Sequence, residues 1–201
     1  MIKLKENIQR KKIILLNNPE YVKIKNKLYK INTDFQVALE CEKVVNTDVS
    51  DEEKSLAIIY LLYGEEGLRS QEDWNELMKK GCWYLLCGKE PNNENVSKPN
   101  MDYEQDKSYI KASFYTDYGI ANIYKTKMHW WDFCDYMNGL TEDCVLNRVR
   151  YVRDYDISDC KGKELEEWKK RKKEVELKEK SKKPTAQQIT ASNKFYDLLG
   201  L

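Results

Sequence analysis

The sequence predicts a mainly α-helical protein: a compact helical domain with a small N-terminal β-hairpin and a long charged C-terminal helix. Apolar side chains recur three or four residues apart through most of the chain, which is the spacing of a helix that buries one face. Several segments open with Ser or Thr followed three residues later by Glu, Gln or Asp, a pattern typical of helix N-termini. Only one short stretch near the N-terminus alternates apolar and charged residues as a strand does.

Length and charge narrow the class of protein. The 201 residues fit one domain, and a chain of this length buries roughly 70% of its unfolded surface. Charged residues make up 34% of the chain but the net charge is +1, so no global field favours nucleic acid or an anionic membrane. No apolar run approaches the ~18 residues of a membrane span. The run Ile13 to Leu16 is also too short for a signal sequence, so we expect a cytoplasmic protein.

The predicted β-hairpin follows an N-terminal arm, residues 1–20. From Tyr21 to Ile31 apolar residues alternate with lysines, and Lys25-Asn26 lies in the middle. Asn tolerates the left-handed turn conformation, so the pattern predicts two short strands joined by a tight turn. Because an isolated hairpin is only marginally stable, we expect it to pack on the helices that follow.

Three helices are predicted between residues 33 and 88. Leu56 to Tyr63 is apolar nearly all round, which predicts a buried central helix that ends at Gly64 and Gly67. The third helix should carry Trp74 to Leu86 into the core and end at Gly88. The capping pairs that open the three helices are Thr33 with Gln36, Ser50 with Glu53, and Ser70 with Asp73.

A polar loop at residues 89–100 precedes the second half of the chain. The lysine- and glutamate-rich run Lys163 to Lys183 predicts a charged helix, residues 161–183, that is solvated on most of its surface. Before it, the core domain, residues 21–160, should contain three more helices. These cover Asp102 to Tyr118, Met128 to Asn138, and Glu142 to Arg153.

The last segment, residues 184–201, is predicted to form an amphipathic hook. Thr185 and Gln188 form a capping pair, so a new helix should start there. A helix this short is marginal alone in water, so its apolar stripe should dock on a partner or sister subunit. Docking on its own domain is the alternative. The apolar residues of the hook include Ile189, Phe195, Tyr196 and Leu199.

The six cysteines show no Cys-x-x-Cys spacing, and the chain has one histidine. This pattern lacks the ligand spacing of a zinc site, and cytosolic thiols stay reduced. Most of the cysteines fall in apolar helical patterns, which favours buried, unreactive thiols over a disulfide framework. We therefore expect neither a metal nor a cofactor.

The segment Met128 to Asp132 carries that histidine and two adjacent tryptophans. One imidazole with one carboxylate is too few ligands for a metal, so His129 is interpreted as bonded to a backbone or carboxylate partner. Adjacent tryptophans on a helix point about 100° apart, so this helix is either sandwiched in the core or exposes one ring. Trp and Tyr dominate interface hot spots. The candidate partner-binding residues are therefore Trp130, Trp131 and Tyr136, with Phe195, Tyr196 and Leu199 in the hook.

Charged clusters offer two further candidate sites. Asp102 and Asp106 lie one helical turn apart, which suits cation binding or acid–base chemistry, but Asp102 is equally well placed as an N-cap. The capping interpretation is preferred. Phosphate contact is the functional alternative for the basic groups, although interspersed glutamates dilute the field of the lysine-rich helix and favour a solvated face. Those basic groups are the helix itself and Arg148, Arg150 and Arg153.

Three ordered stretches of the sequence form a distinctive set. They are Tyr29-Lys30-Ile31-Asn32-Thr33-Asp34-Phe35; Met101-Asp102-Tyr103-Glu104-Gln105-Asp106 with Phe114 and Tyr118-Gly119-Ile120; and Met128-His129-Trp130-Trp131-Asp132-Phe133 with Gly139-Leu140 and Arg150. In order and spacing, across about residues 21–160, they resemble the bacteriophage gene-product-15 family of tail gene clusters. Two departures are Asn26, where a hairpin glycine is common, and Ala121-Asn122, where an acidic residue and leucine are expected.

The resemblance implies a non-enzymatic protein of phage tail morphogenesis in the host bacterial cytoplasm. Genes of this family precede the tape-measure gene, and small helical proteins from that position are commonly tape-measure chaperones. The implied partners are phage tail proteins, the tape-measure protein first, with no nucleic acid or membrane; homo-oligomerisation stays open. The alternatives are a minor structural protein of the tail or virion, and an enzyme that uses Asp102, Asp106 and His129.

Overall fold

The computed structural model describes residues 18–89 and 99–178. Within these residues seven α-helices and one antiparallel hairpin form the fold, which confirms the mainly α class. They divide into two compact units. The first unit contains residues 18–89 and Met128–Cys134, and the second contains residues 99–127 and 135–178. The hook at residues 184–201, with Phe195, Tyr196 and Leu199, and most of the arm lie outside the described residues.

The first unit opens with the predicted hairpin, in which β1 (Tyr21–Ile24) pairs with β2 (Lys27–Lys30). Val22 and Ile24 face the core, as the alternation predicts. The left-handed turn residue is Lys25, with φ of 51°, and not Asn26. The Lys25 ammonium lies 2.6 Å from the Asp73 carboxylate, a tertiary contact that the local turn preference does not contain.

Three helices complete most of this unit: α1 (Phe35–Val45), α2 (Asp51–Arg69) and α3 (Trp74–Leu85). α1 packs on α2, and α2 packs on α3. The hairpin contacts this layer because β2 lies against α2 and β1 against α3. The marginal hairpin is thereby stabilised by helices, as the sequence predicted.

The predicted capping pairs have different outcomes. Ser50 and Glu53 form the expected reciprocal capping box at the start of α2. At α1 the prediction was wrong: Asp34 is the N-cap and accepts the Gln36 N–H at 3.0 Å. Thr33 precedes this cap, and its carbonyl accepts the N–H of Trp130, a contact between segments distant in sequence.

The third pair, Ser70 with Asp73, was also wrong as a cap. The Ser70 hydroxyl instead donates to the Glu66 carbonyl, and a 3-10 turn, Gln71–Asp73, precedes α3. The buried Asp73 carboxylate accepts from the Tyr29 hydroxyl and from Lys25. The hairpin therefore recruits the carboxylate that the local pattern assigned to the helix start.

Helix α2 extends beyond its predicted end. α2 continues through Gly64 and Gly67 to Arg69, because Gly64 produces a kink, with φ of 64°, after which helical turns resume. Gly67 stays within the helix, where an added Cβ would lie 2.7 Å from the Cβ of Tyr63.

The second unit is built on α4 (Lys107–Tyr118), α6 (Val145–Asp154) and α7 (Gly162–Glu174). Helix α5 (Trp130–Asn138) is divided between the units: residues 130–134 belong to the first unit and residues 135–138 to the second. α4, α5 and α6 begin later than predicted, and α7 ends at Glu174 instead of continuing. The chain leaves α7 where the Val175 carbonyl accepts from the Arg153 side chain at 2.6 Å.

The apolar core follows the predicted segments. Ile58, Ile59 and Leu62 of α2 are buried in the first unit, and Ile110 and Phe114 of α4 are buried in the second. Ile58 and Ile59 precede Leu62 by four and three residues, and Ile110 precedes Phe114 by four, as the helical period predicts. None of the helices in the described part of the chain has the length and apolar content to cross a bilayer.

Candidate functional site

The His-Trp-Trp segment lies beside the start of α1 in the first unit. The Phe35 N–H donates to the Met128 carbonyl at 3.0 Å, and the Trp130 N–H donates to the Thr33 carbonyl at 2.8 Å. Asp34 and His129 therefore face each other in an isolated antiparallel bridge. Two motifs almost a hundred residues apart in sequence meet in one site.

His129 has a partner at each ring nitrogen. Nε2 lies 3.2 Å from the Pro19 carbonyl, and Nδ1 accepts the Trp131 N–H at 3.0 Å. A carbonyl only accepts and an N–H only donates, so the geometry fits the tautomer with its proton on Nε2. The imidazole thus caps the first turn of α5 and holds the chain at Pro19, in agreement with the structural interpretation of this histidine.

The adjacent tryptophans both donate hydrogen bonds to the C-terminal end of α3. The indole N–H of Trp130 donates to the Leu85 carbonyl at 3.0 Å, and that of Trp131 donates to the Tyr84 carbonyl at 2.8 Å. Both carbonyls belong to the last turn of α3, where intrahelical donors run out. The tryptophan pair therefore supplies donors for the C-terminus of a helix from elsewhere in the chain.

The two indole rings differ in accessibility. Trp130 is 8% exposed and stacks on Phe133, within the core. Trp131 is half-buried, with an edge contact to Trp83 at 5.5 Å between ring centroids. Gly88 leaves room for it, since an added Cβ there would lie 3.2 Å from the Trp131 ring. Of the predicted pair, Trp131 is the ring with surface left for a partner.

The third predicted residue of the core domain, Tyr136, belongs to the second unit and is 39% exposed. Its ring packs edge-on against Tyr118 at 4.8 Å, and its carbonyl accepts the Tyr118 hydroxyl at 2.8 Å. The ring also lies 6.2 Å from Phe114 between centroids, so the fold holds part of this side chain and leaves the remainder exposed.

The acidic candidate site is assembled around a buried ion pair. Arg153 donates to both carboxylate oxygens of Asp106 at 2.7 Å, with the side chains 9% and 1% exposed. Asp102 accepts the N–H groups of Glu104 and Gln105, so it caps a turn before α4 and not α4 itself. Both carboxylates have partners within the fold, which favours a structural role over cation binding or acid–base chemistry.

The arginine group is also drawn into the fold. Arg150 donates to the side-chain oxygens of Asn100 and Asn147, and Arg153 holds Asp106. Of the three arginines that were candidates for phosphate contact, Arg148 alone is exposed. Sequence reasoning missed the Asp106–Arg153 pair because 47 residues separate its members.

The comparison with protein families decides the relationship. A family model described as bacteriophage Gp15 protein matches residues 16–177 of the 201. The chain belongs to the bacteriophage Gp15 protein family. Neither the curated proteins nor the solved structures contain a match. The family match spans both units, so the His-Trp-Trp site and the Asp106–Arg153 pair both lie within it.

Besides Tyr136, two large exposed side chains of the second unit were not among the predicted sites. Tyr115 of α4 is 61% exposed and Tyr151 of α6 is 60% exposed. Tyr151 also packs against Tyr155, which stacks on Trp168 of α7 at 3.8 Å. The helical period contained the signal for Tyr115, because it follows the core residue Phe114 and must point about 100° away.

All six cysteines lie within the described residues, and all six are free thiols. Burial raises the pKa of the Cys41 thiol to about 12, so it stays protonated at neutral pH. Cys144 is also buried, but Cys82 is exposed and the other three cysteines are partly exposed, so the expectation that most of the thiols are buried was wrong. In the part of the chain that the structure describes, no group of three or more His, Cys, Asp or Glu side chains is arranged to hold a metal ion.

Proposed function

We propose that this chain is a non-enzymatic binding protein of phage tail assembly, acting in the host bacterial cytoplasm as a chaperone of the tape-measure protein. Membership of the bacteriophage Gp15 protein family supports the phage context. The position of such genes before the tape-measure gene supports the choice of client. The remaining support comes from the surface of the second unit.

Exposed tyrosines carry the proposal. Tyr115, Tyr136 and Tyr151 present aromatic surface in a unit whose ionisable core groups, Asp106 and Arg153, are paired with each other. Tyrosine combines a large apolar ring with a polar tip and loses little conformational entropy on binding. Side chains of this kind suit recognition of another protein better than chemistry on a small substrate.

The client explains why separate tyrosines are useful. A tape-measure protein presents a long apolar helix that aggregates until tube subunits assemble around it. A chaperone must contact many registers of such a helix, so adaptable apolar contacts serve it better than one deep pocket. The charged residues, 34% of the chain, help to keep the chaperone itself in solution.

Co-expression with the tape-measure protein of the same tail gene cluster tests the proposal. We expect the wild-type chain to keep the client soluble and to co-purify with it. The double variant Tyr115→Ser, Tyr151→Ser should lose both properties. The matched control is Lys111→Ser, Arg148→Ser, which changes one exposed residue on each of the same two helices. Retention of the client by the tyrosine variant, or equal loss by the control, would contradict the assignment.

Purified virions separate the chaperone from the structural alternative. A chaperone should be absent from particles or present far below one copy per tail subunit in quantitative mass spectrometry. A stoichiometric copy number would instead assign the chain to the tail structure. The enzymatic alternative predicts that Asp102→Ala and His129→Ala abolish function without lowering stability, whereas we expect both to destabilise the protein.

A further inference from the structure

The hairpin has one face without a described neighbour, here named the outer hairpin face. It consists of Tyr21, Lys23, Leu28 and Lys30. Tyr21 lies opposite Lys30, and Lys23 opposite Leu28, so strand alternation places all four on the side away from Val22 and Ile24. Tyr21 is 51% exposed and Leu28 is 62% exposed.

Positive charge on this face is not neutralised by the fold. Residues 21–30 contain four lysines and no acidic residue, although the whole chain carries a net charge of only +1. Lys25 and Lys27 are paired with Asp73 and Glu66 at 2.6 and 3.2 Å. Within the described residues, Lys23 and Lys30 of the outer hairpin face have no ion pair. Two exposed lysines therefore flank two exposed apolar side chains.

Charge argues against the terminal segments of this chain as the occupant. Residues 1–17 contain five basic residues and one acidic residue, and residues 179–201 contain four basic and two acidic. Either segment would bring like charge to the lysines, which disfavours association. Complementarity calls instead for an acidic segment from another molecule.

We propose that the outer hairpin face binds an acidic segment of another protein, in which apolar side chains lie beside carboxylates. The apolar groups cover Tyr21 and Leu28, and the carboxylates meet Lys23 and Lys30. Leu28 decides for protein over nucleic acid, because an aliphatic side chain neither stacks on bases like an aromatic ring nor pairs with phosphate. This binding is separate from the tyrosine surface of the second unit and does not depend on the tape-measure assignment.

Fluorescence anisotropy with the full chain tests the inference. The probe is a short fluorescein-labelled peptide in which glutamates alternate with leucine and tyrosine. We expect saturable binding that weakens at least about tenfold in Lys23→Glu, Lys30→Glu and also in Leu28→Ser, a change of about 1.4 kcal/mol. The control Lys111→Glu, Lys170→Glu reverses two exposed lysines elsewhere and should bind as the wild type does. Thermal melts confirm that each variant is folded.

Four outcomes would overturn the inference. Equal weakening by the control pair would mean that the peptide senses only net charge. Equally tight binding of a glutamate-only peptide would show that Tyr21 and Leu28 contribute nothing. Tighter binding of a single-stranded oligonucleotide, lost in the Lys23→Glu, Lys30→Glu variant, would assign the face to nucleic acid. Failure of the alternating peptide to bind at all would leave a merely solvated face and reject the proposal.

Discussion

Single polar residues in the second unit stabilise the fold by pairing inside it. The Asp106 carboxylate is almost completely buried, and it accepts two hydrogen bonds from Arg153 and one from the Asp102 N–H. A buried carboxylate is costly unless its lone pairs are satisfied, and here the satisfaction comes from the guanidinium fork. Arg153 in turn ties α6 to the turn before α4.

Breaking this pair should be strongly destabilising. Asp106→Ala leaves Arg153 buried without its counter-charge, and we expect a loss of about 3–5 kcal/mol in the free energy of unfolding measured with urea. The control Glu104→Ala changes an exposed carboxylate two residues away and should stay within about 0.5 kcal/mol. Replacing both partners, as Asp106→Leu with Arg153→Met, should cost less than Asp106→Ala. A single-variant loss near the control value would refute the buried-pair account.

Asp73 gives the fold a predictable dependence on acid. Its hydrogen bonds from Lys25 and then Tyr29, together with the charges of Lys25 and Lys27, hold the pKa of its carboxyl below the ordinary value of 3.8. The unfolded chain therefore binds this proton at higher pH than the folded chain does. The resulting stabilisation is present above pH 3.8 and is lost as the pH falls through the folded-state pKa.

Asp73→Asn should remove that acid dependence. We expect a lower melting temperature than wild type at pH 7, and a gap between the two that closes as the pH approaches about 2. Asp48→Asn, which changes an exposed aspartate outside this cluster, should melt in parallel with wild type throughout. A gap between Asp73→Asn and wild type that stays constant from pH 7 to pH 2 would show that Asp73 contributes through shape and not charge.

At the scale of elements, helix ends are completed by distant parts of the chain. Two left-handed residues, Cys87 and Gly88, follow α3, and its last carbonyls accept from the indoles of Trp130 and Trp131. Helix C-termini commonly use a left-handed glycine, since it has no Cβ to clash. Here the missing Cβ also makes room for a ring.

Substitutions at two glycines that follow helices can distinguish the cost of backbone strain from the cost of side-chain clashes. Gly88 and Gly119 have φ of 75° and 69°, but an added Cβ lies 3.2 Å from Trp131 at Gly88 and has nothing within 4 Å at Gly119. Gly119→Ala should therefore cost about 1–2 kcal/mol for the left-handed backbone alone. Gly88→Ala should cost more and should quench or shift tryptophan fluorescence. Equal losses without a spectral change would mean that the Trp131 contact is unimportant.

Neighbouring residues on α4 test how the helical period divides core from surface. Phe114 is completely buried, so Phe114→Ala should lower the free energy of unfolding by about 3–5 kcal/mol. Tyr115→Ala, one residue later on the exposed side, should change it by less than about 0.5 kcal/mol. Chemical denaturation of both variants measures the difference. Similar losses for the two would show that the assigned core face of α4 is wrong.

At the scale of the molecule, the chain after α7 is held along the second unit. Arg153 donates to the Val175 carbonyl, and the Gln105 side chain exchanges two hydrogen bonds of 2.9 Å with the backbone of Lys178. A side-chain amide that pairs with a backbone donor and acceptor fixes the chain as a neighbouring strand would. Residues 175–178 therefore belong to the folded unit, although the sequence assigned them to a charged helix.

Paired truncations measure this attachment. A chain ending at Glu174 should melt several degrees below a chain ending at Lys178, because it lacks the Val175 and Lys178 backbone groups that Arg153 and Gln105 bind. The chain ending at Gly200 controls for moving the terminal carboxylate. Identical melts for the two truncations would show that these hydrogen bonds do not stabilise the unit. Client pull-down with the Lys178 truncation tests the predicted partner role of the hook, which lies outside the described residues.

The helical class, the hairpin and the apolar faces could be predicted from the sequence, because periods of two and 3.6 residues are local properties of the chain. It also identified the Ser50–Glu53 box, whose partners are three residues apart. The resemblance to the family came from motif order, and the family match confirms it.

The pairing of polar groups could be read only from the folded chain. Asp73 was predicted to take part in the cap of α3, but its carboxylate binds the hairpin residue Lys25. Asp34 caps α1 in place of Thr33, whose carbonyl accepts the Trp130 N–H. Arg153, which the sequence suggested as a phosphate ligand, is the ion-pair partner of Asp106. A hydrogen-bonding group takes the best partner that folding brings near, and buried pairs of distant residues outweigh weak local preferences. The spacing of residues in the sequence does not show which distant residues come close on folding, so the structural roles of these residues are visible only in the folded chain.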